Sequence, residues 1–137
     1  SDITRTFTFG DVSSELINAG RIVVQANQAA SAYGRAGVSA GEVDRAAREV
    51  IEAAGFGEAF FHRTGHGLGL EAHEEPYIYA ENKLILTPGM TFTIEPGIYL
   101  AGRGGIRIED DVVVREDRLE SLTGFPREVQ PLENFIS

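Results

Sequence analysis

Residues 106–114 read IRIEDDVVV, an arginine and three carboxylates set inside a run whose isoleucines and valines are those of a β-strand. Counted with a period of two, Ile106, Ile108, Val112 and Val114 share one face with Asp110, while Arg107, Glu109, Asp111 and Val113 take the other. Just upstream, MTFTIEPGIYL (90–100) gives a second strand, with Phe92 and Ile94 on one side and Thr91, Thr93 and Glu95 on the other. Pro96 keeps Glu95 extended and tends to stop pairing just beyond it. AGRGG (101–105) offers a tight connection between the two strands.

The chain start, SDITRTFTF (1–9), alternates in the same way. Asp2, Thr4, Thr6 and Thr8 share a face, and Ile3, Phe7 and Phe9 share the other with Arg5. Three strands therefore each carry an acid on a polar face: Asp2, Glu95 and Glu109. If those faces converge, the carboxylates form a cage that needs a cation, because like charges at close range repel. If they do not, the pattern describes an antiparallel sheet with one solvated face. Alternation alone permits both readings.

Between these strands the sequence is helical. Positions 13–35 are rich in Ala, Leu, Ile, Val and Gln at helical spacing and close at Gly37. Ser39 with Glu42 three places on forms a capping-box pattern, opening a helix that runs to about Ala54 and stops at Gly55. Glycine-punctuated HRTGHGLGLEAHEEP (62–76) is too interrupted for a helix. Strands and helices segregated in this way give an α+β class.

All three histidines lie in that segment: His62, His66 and His73. His66 sits between Gly65 and Gly67, where the backbone can approach other groups closely. HEEPY lacks the second histidine of a zincin motif, and GHGLG has the wrong spacing for a dinucleotide fingerprint. One histidine beside carboxylates from separate strands describes an oxygen-rich site for Mn²⁺, Co²⁺, Fe²⁺ or Zn²⁺. With no cysteine, a disulfide framework and a thiolate site are both excluded.

Composition narrows the partners. A length of 137 residues is that of one domain, and 42% hydrophobic with 24% charged residues is a globular balance. The net charge of −9 argues against nucleic acid and anionic membranes. The apolar runs fall far short of the ~20 residues that cross a bilayer, and the chain shows no secretory signal, so a cytoplasmic location is expected.

Taken together, SDITRTF (1–7), HRTGHGLGLEAHEEP (62–76), GMTFTIEPGIY (89–99) and GIRIEDDVVV (105–114) resemble the dinuclear metallopeptidases of the pita-bread fold, in the branch of Xaa-Pro dipeptidases (prolidases) and Xaa-Pro aminopeptidases. The blocks stand in the family's order and span essentially the whole chain. The resemblance implies a curved antiparallel sheet with two main helices, residues 1–137 being the C-terminal portion of the catalytic domain. It implies that Asp2, His66, Glu95 and Glu109 ligate two divalent metal ions, Mn²⁺ or Co²⁺, or else Zn²⁺ or Fe²⁺. Glu95 would also handle the proton of the attacking water, and His73 would stabilise the tetrahedral intermediate. His62 would reach the substrate, and Arg107 would stand beside the cluster. Asp110 and Asp111 would support it.

The implied reaction is hydrolysis of the bond between an N-terminal residue and proline, by a water or hydroxide bridging the metals. The substrate would be a proline-containing peptide. The family's further aspartate ligand precedes the Asp2 strand and is not among these residues, so the chain alone is expected to be weakly active or inactive. Its open sheet edge would invite a homodimer or other self-association. A non-catalytic pita-bread peptide- or protein-binding module and a creatinase-like hydrolase are the alternative readings. A set of four ligand positions disfavours both.

Overall fold

The computed structural model describes residues 1–136. After the short strand β1 (Phe7–Thr8) comes helix α1 (Ser14–Tyr33), whose first turn is capped by Ser13 as its hydroxyl accepts the Leu16 N–H. Ala19, Val23, Ala26 and Ala30 form the buried stripe of α1. The helix ends where Gly34 passes under Leu119, and a Cβ at Gly34 would lie 2.4 Å from that side chain. Helix α2 (Ala40–Ala53) opens on the expected capping box of Ser39 and Glu42, and buries Val43, Ala47 and Ile51. Among the described residues no helix is long and apolar enough to cross a membrane.

The glycine-punctuated segment, which carried no strand expectation, forms β2 (Gly65–Gly67) and β3 (Glu74–Ile78). Then follow β4 (Thr91–Ile94), β5 (Gly97–Leu100), β6 (Gly104–Arg107), β7 (Asp110–Val114), β8 (Leu119–Ser121) and β9 (Gln130–Pro131). The main sheet has five strands in the order β3-β2-β4-β7-β8, all antiparallel. β5 and β6 form a separate antiparallel pair, and β1 pairs with β9 in parallel.

Two expectations of long strands are corrected here. MTFTIEPGIYL divides into β4 and β5, and GGIRIEDDVVVRED into β6 and β7. The register nevertheless does not slip, since Ile94 pairs with Asp110 and pairing resumes with Gly97 opposite Arg107. The two strands are one hairpin whose ladder opens where Glu95 faces Glu109. Proline is the cause, because Pro96 has no N–H to return to Ile108. Ile108 donates to the Pro96 carbonyl at 3.4 Å, leaving its own carbonyl without that reciprocal bond.

A third expected strand, residues 1–9, is corrected as well: only Phe7–Thr8 form a strand, with a single antiparallel bridge between Thr4 and Glu109. Side chains replace ladder bonds on either side of that bridge. The Thr6 hydroxyl bonds both the carbonyl and the N–H of Arg107, and the Asp2 N–H donates to the Asp111 carboxylate.

The apolar faces read from the sequence do make the core. Phe92, Ile94, Ile98, Ile108, Val112 and Val114 pack with the stripes of α1 and α2. The opposite face is not wet where it matters. Thr93, Glu109 and Asp111 are all buried, so this stretch of sheet is covered on both sides.

Gly65 and Gly67 are fixed by close approach rather than by turn geometry. A Cβ on Gly65 would stand 1.7 Å from the Thr93 carbonyl oxygen, and one on Gly67 would stand 2.1 Å from that of Glu75. Both obstacles are backbone and cannot rotate away. Gly65→Ala is therefore expected to cost about 3 kcal/mol or more in urea unfolding. Gly124→Ala, which meets nothing within 4 Å, should stay within about 0.5 kcal/mol. Equal midpoints for the two variants would contradict this account of β2.

Candidate metal centre

The opened hairpin supplies two of the charges. Glu95 directs its N–H outward to the Thr64 carbonyl at 2.7 Å, and Glu109 directs its own to the Thr4 carbonyl at 3.0 Å. Pointing away from each other, they are a non-hydrogen-bonded pair, the kind in which opposed side chains stand closest, with Cα atoms about 4.5 Å apart. Like charges opposed in this way destabilise a sheet unless something of opposite sign lies between them.

Two more groups face the same point. Asp2, His66 and Glu109 each bring a ligand atom to within 4.8 Å of the others. His66 Nε2 is 3.3 Å from Glu95 Oε1 and 3.6 Å from Asp2 Oδ2. The other ring nitrogen, Nδ1, lies 3.0 Å from the Gly67 carbonyl, which can only accept, so the proton of a neutral ring is assigned to Nδ1. The Nε2 lone pair then confronts carboxylate oxygens. Acceptor facing acceptor is an arrangement that a proton or a cation must resolve, and an imidazole Nε2 with three carboxylates is a donor set that fits divalent metal ions.

Supporting contacts fix each member. Thr93 accepts the His66 N–H at 3.1 Å and donates its hydroxyl to Glu95 at 3.1 Å, tying two ligand residues together. The Thr4 hydroxyl donates to Glu109, and Arg107 stands 4.0 Å from the same carboxylate. Arg5 reaches across to donate to the Glu109 carbonyl at 2.7 Å and to Asp110 at 2.6 Å, and Arg127 holds the other oxygen of Asp110. Asp110 thus carries two guanidinium partners at 0% exposure, supporting the segment that bears Glu109. From α2, buried Asp44 accepts both the N–H and the hydroxyl of Thr64, while Arg48 donates to the Phe60 and His62 carbonyls. That anchor sets the entry into β2.

The remaining sequence candidates line a cleft of ≈ 760 Å³ beside the cluster, with Phe61, His62, His73, Tyr77, Tyr99 and Arg107 on its walls. His73 meets the His66 ring edge-on, centroids 4.3 Å apart. Glu74 curls under the loop to accept the Glu71 N–H and staples the loop. His62 stands apart from the ligand cluster. It bonds the Tyr99 hydroxyl through Nε2 at 3.0 Å, and that hydroxyl lies 3.5 Å from Arg107 Nη1. Tyr99 therefore links two sequence candidates and was not itself foreseen. Its position two residues after Gly97 on a regular strand gives no signal of that role.

The comparisons with known proteins follow this geometry. The family model for metallopeptidase family M24 matches residues 1–116. The chain belongs to metallopeptidase family M24. It is 51% identical over 129 residues to a Mycobacterium tuberculosis protein named probable dipeptidase PepE, covering 94% of this chain and 34% of that one. Among solved structures, the Xaa-Pro dipeptidase from Bacillus anthracis superposes with a TM-score of 0.94 at 43% identity, covering 96% of this chain and 37% of that one. The prolidase from Pyrococcus furiosus gives 0.90 at 42%, covering 93% and 38%. The fold is thus the pita-bread fold of M24 peptidases, and the chain spans about a third of the length of the curated relatives it matches.

Burial first, and then the charges of Glu95 and Asp2, push the Glu109 carboxyl above its ordinary range against the opposing pull of Thr4 and Arg107. Burial likewise raises Asp111. A raised carboxyl favours the protonated form in the folded state, so the fold binds more protons than the unfolded chain between the two pKa values. Stability from this source is present at and below the ordinary carboxylate range and declines as pH rises through the elevated value. In EDTA, the thermal midpoint of the wild type relative to Glu109→Gln should fall as pH rises through that window, and an added divalent cation should raise the wild type above the variant there. A pH-independent difference in EDTA would contradict the assignment.

Proposed function

We propose that these residues form the metal-binding part of a dinuclear Xaa-Pro peptidase, with Asp2, His66, Glu95 and Glu109 as ligands of two divalent cations, Mn²⁺ or Co²⁺. The convergence of one imidazole nitrogen and three carboxylates, on elements from distant parts of the chain, is the observation that carries this reading. Two such cations lower the pKa of water near neutrality and polarise a scissile carbonyl.

The chain's own groups divide the remaining work. Glu95, on the cleft wall with its side chain 14% exposed and bonded by Thr93, receives the proton of the attacking water and passes it to the leaving nitrogen. His73, on the cleft wall against His66, donates to the oxygen on which charge develops. An imide bond to proline offers no N–H, so recognition falls to shape and to the neighbouring terminus. Phe61 and Tyr99, with centroids 5.4 Å apart, present an apolar wall for the ring, and His62 and Arg107 offer polar contacts through Tyr99. The substrate is a proline-containing peptide and the site of action the cytoplasm. The chain's exposed strand edges favour self-association, which a concentration-independent monomer mass would rule out.

Calorimetric titration of Mn²⁺ into the purified chain tests the core of this reading. Binding is expected, weakened more than about tenfold in Glu109→Ala. No binding, or equal binding by the variant, would overturn it. The residues here match about a third of the relatives' length. The chain alone is therefore expected to turn over Xaa-Pro dipeptides far more slowly than a full-length relative, and comparable turnover would contradict that. In whatever form is active, His73→Ala should lower kcat by ~10²–10³ at unchanged Mn²⁺ affinity.

A further inference from the structure

We infer that Asn27 is a positioning residue for the metal centre, an amide inserted from α1 into the opened hairpin to set the spacing of Glu95 and Glu109. This rests on the metal-centre reading above. Asn27 is completely buried in the middle of α1, on the stripe otherwise made of alanine and valine. Its Nδ2 donates to the Ile94 carbonyl at 3.0 Å and to the Ile108 carbonyl at 3.4 Å. Those are the carbonyls of the two peptide units that lead into Glu95 and Glu109. One side-chain nitrogen therefore touches both ligand-bearing peptides at once: the Ile94 carbonyl also faces Asp110 in the ladder, whereas the Ile108 carbonyl receives no bond back from Pro96.

The chemistry explains why an amide stands there. Pro96 cannot return a bond to the Ile108 carbonyl, and a buried carbonyl left without a donor is costly. An N–H₂ group has two donors and can serve two acceptors in different strands. The reverse orientation would set Oδ1 against two carbonyl oxygens, so the assignment of Nδ2 follows from the partners. Among the described residues the acceptor end meets no partner: Oδ1 is buried without a protein hydrogen bond, as is the Ser31 hydroxyl one turn along the helix. A polar residue kept only for packing would be satisfied at both ends or replaced by an apolar one. Here both donor bonds go to the hairpin carbonyls that precede the two glutamates. Thr93 and Thr4 fix the carboxylate ends of the same two glutamates, while Asn27 fixes their backbone.

The test uses the purified full chain with Asn27→Asp, which keeps the shape and removes the donors, Asn27→Leu, and Ser31→Ala as a control for buried polarity in the same helix. Mn²⁺ affinity and the visible spectrum of bound Co²⁺ are read beside the thermal midpoint without metal. Both Asn27 variants should bind Mn²⁺ at least tenfold more weakly and show altered Co²⁺ bands, with Ser31→Ala like wild type in both. A role in packing alone would lower the midpoint and leave affinity and Co²⁺ bands as in wild type, which would overturn the assignment. Absence of Mn²⁺ binding by wild type would instead remove the metal-centre reading. Asn27 is then judged on the side-chain amide protons and the Glu95 and Glu109 backbone nitrogen shifts of the metal-free protein. Slow exchange of the Asn27 amide, with both shifts moved in Asn27→Asp, supports it. Amide exchange at the solvent rate overturns it, including where neither variant folds.

Discussion

Two glutamates opposed across an antiparallel ladder are the constraint around which this molecule is arranged. Glu95 and Glu109 face each other as a non-hydrogen-bonded pair, with Asp2 and the lone pair of His66 turned toward the same point. In a hairpin free to choose its side chains such a pair would be selected against. A proton or a positive charge relieves it, and among the described residues Arg107 stands 4.0 Å from one carboxylate and is nearly half exposed. A bound divalent cation is the economical solution. Under the proposed reading, such a cation would turn mutual repulsion into shared attraction and would polarise carbonyls and water.

The surrounding structure can be understood as the means of holding that arrangement. Pro96 opens the ladder at the level of the glutamates, and the strands resume in unchanged register beyond it, so the carboxylates remain opposed. Glycine at 65 and 67 lets β2 press against β4 and β3 closely enough to bring the His66 ring into the group. The Asp44–Arg48 pair in α2 holds the chain entering β2, and Arg5 with Asp110 pins the Asp2 segment to the strand carrying Glu109. These are ion pairs in which each buried charge is answered by a partner. Breaking one by removing a single member leaves an uncompensated charge and typically costs 3–5 kcal/mol.

Much of this was legible in the sequence, for identifiable reasons. The capping box at Ser39 and Glu42 and the two helical stripes are local signals, and the helices formed where those signals stood. Alternation placed Glu95 and Glu109 on one face of the hairpin, because it is set by the pleat, whereas Asp2 lies outside any strand and is placed by its N–H bonding the Asp111 carboxylate. The strand breaks at Glu95 and Glu109 were only half announced. Pro96 marks one, but nothing local marks Ile108–Glu109, which opens because its partner does. Arg5 and Asp110 both looked misplaced, each a charge on an otherwise apolar strand face, and each proves to be the other's partner. Asn27 and Tyr99 lay beyond sequence reasoning, since a helix asparagine and a strand tyrosine acquire their roles only from what the fold places opposite them.

The most direct test of the central claim is an anomalous difference map at the manganese edge, from crystals of the protein grown with MnCl₂. The account predicts anomalous peaks within metal-bonding distance of oxygens of Asp2, Glu95 and Glu109 and of His66 Nε2. A map with no peak there, or with manganese bound only elsewhere while His66 and the three carboxylates keep their present positions, would contradict it.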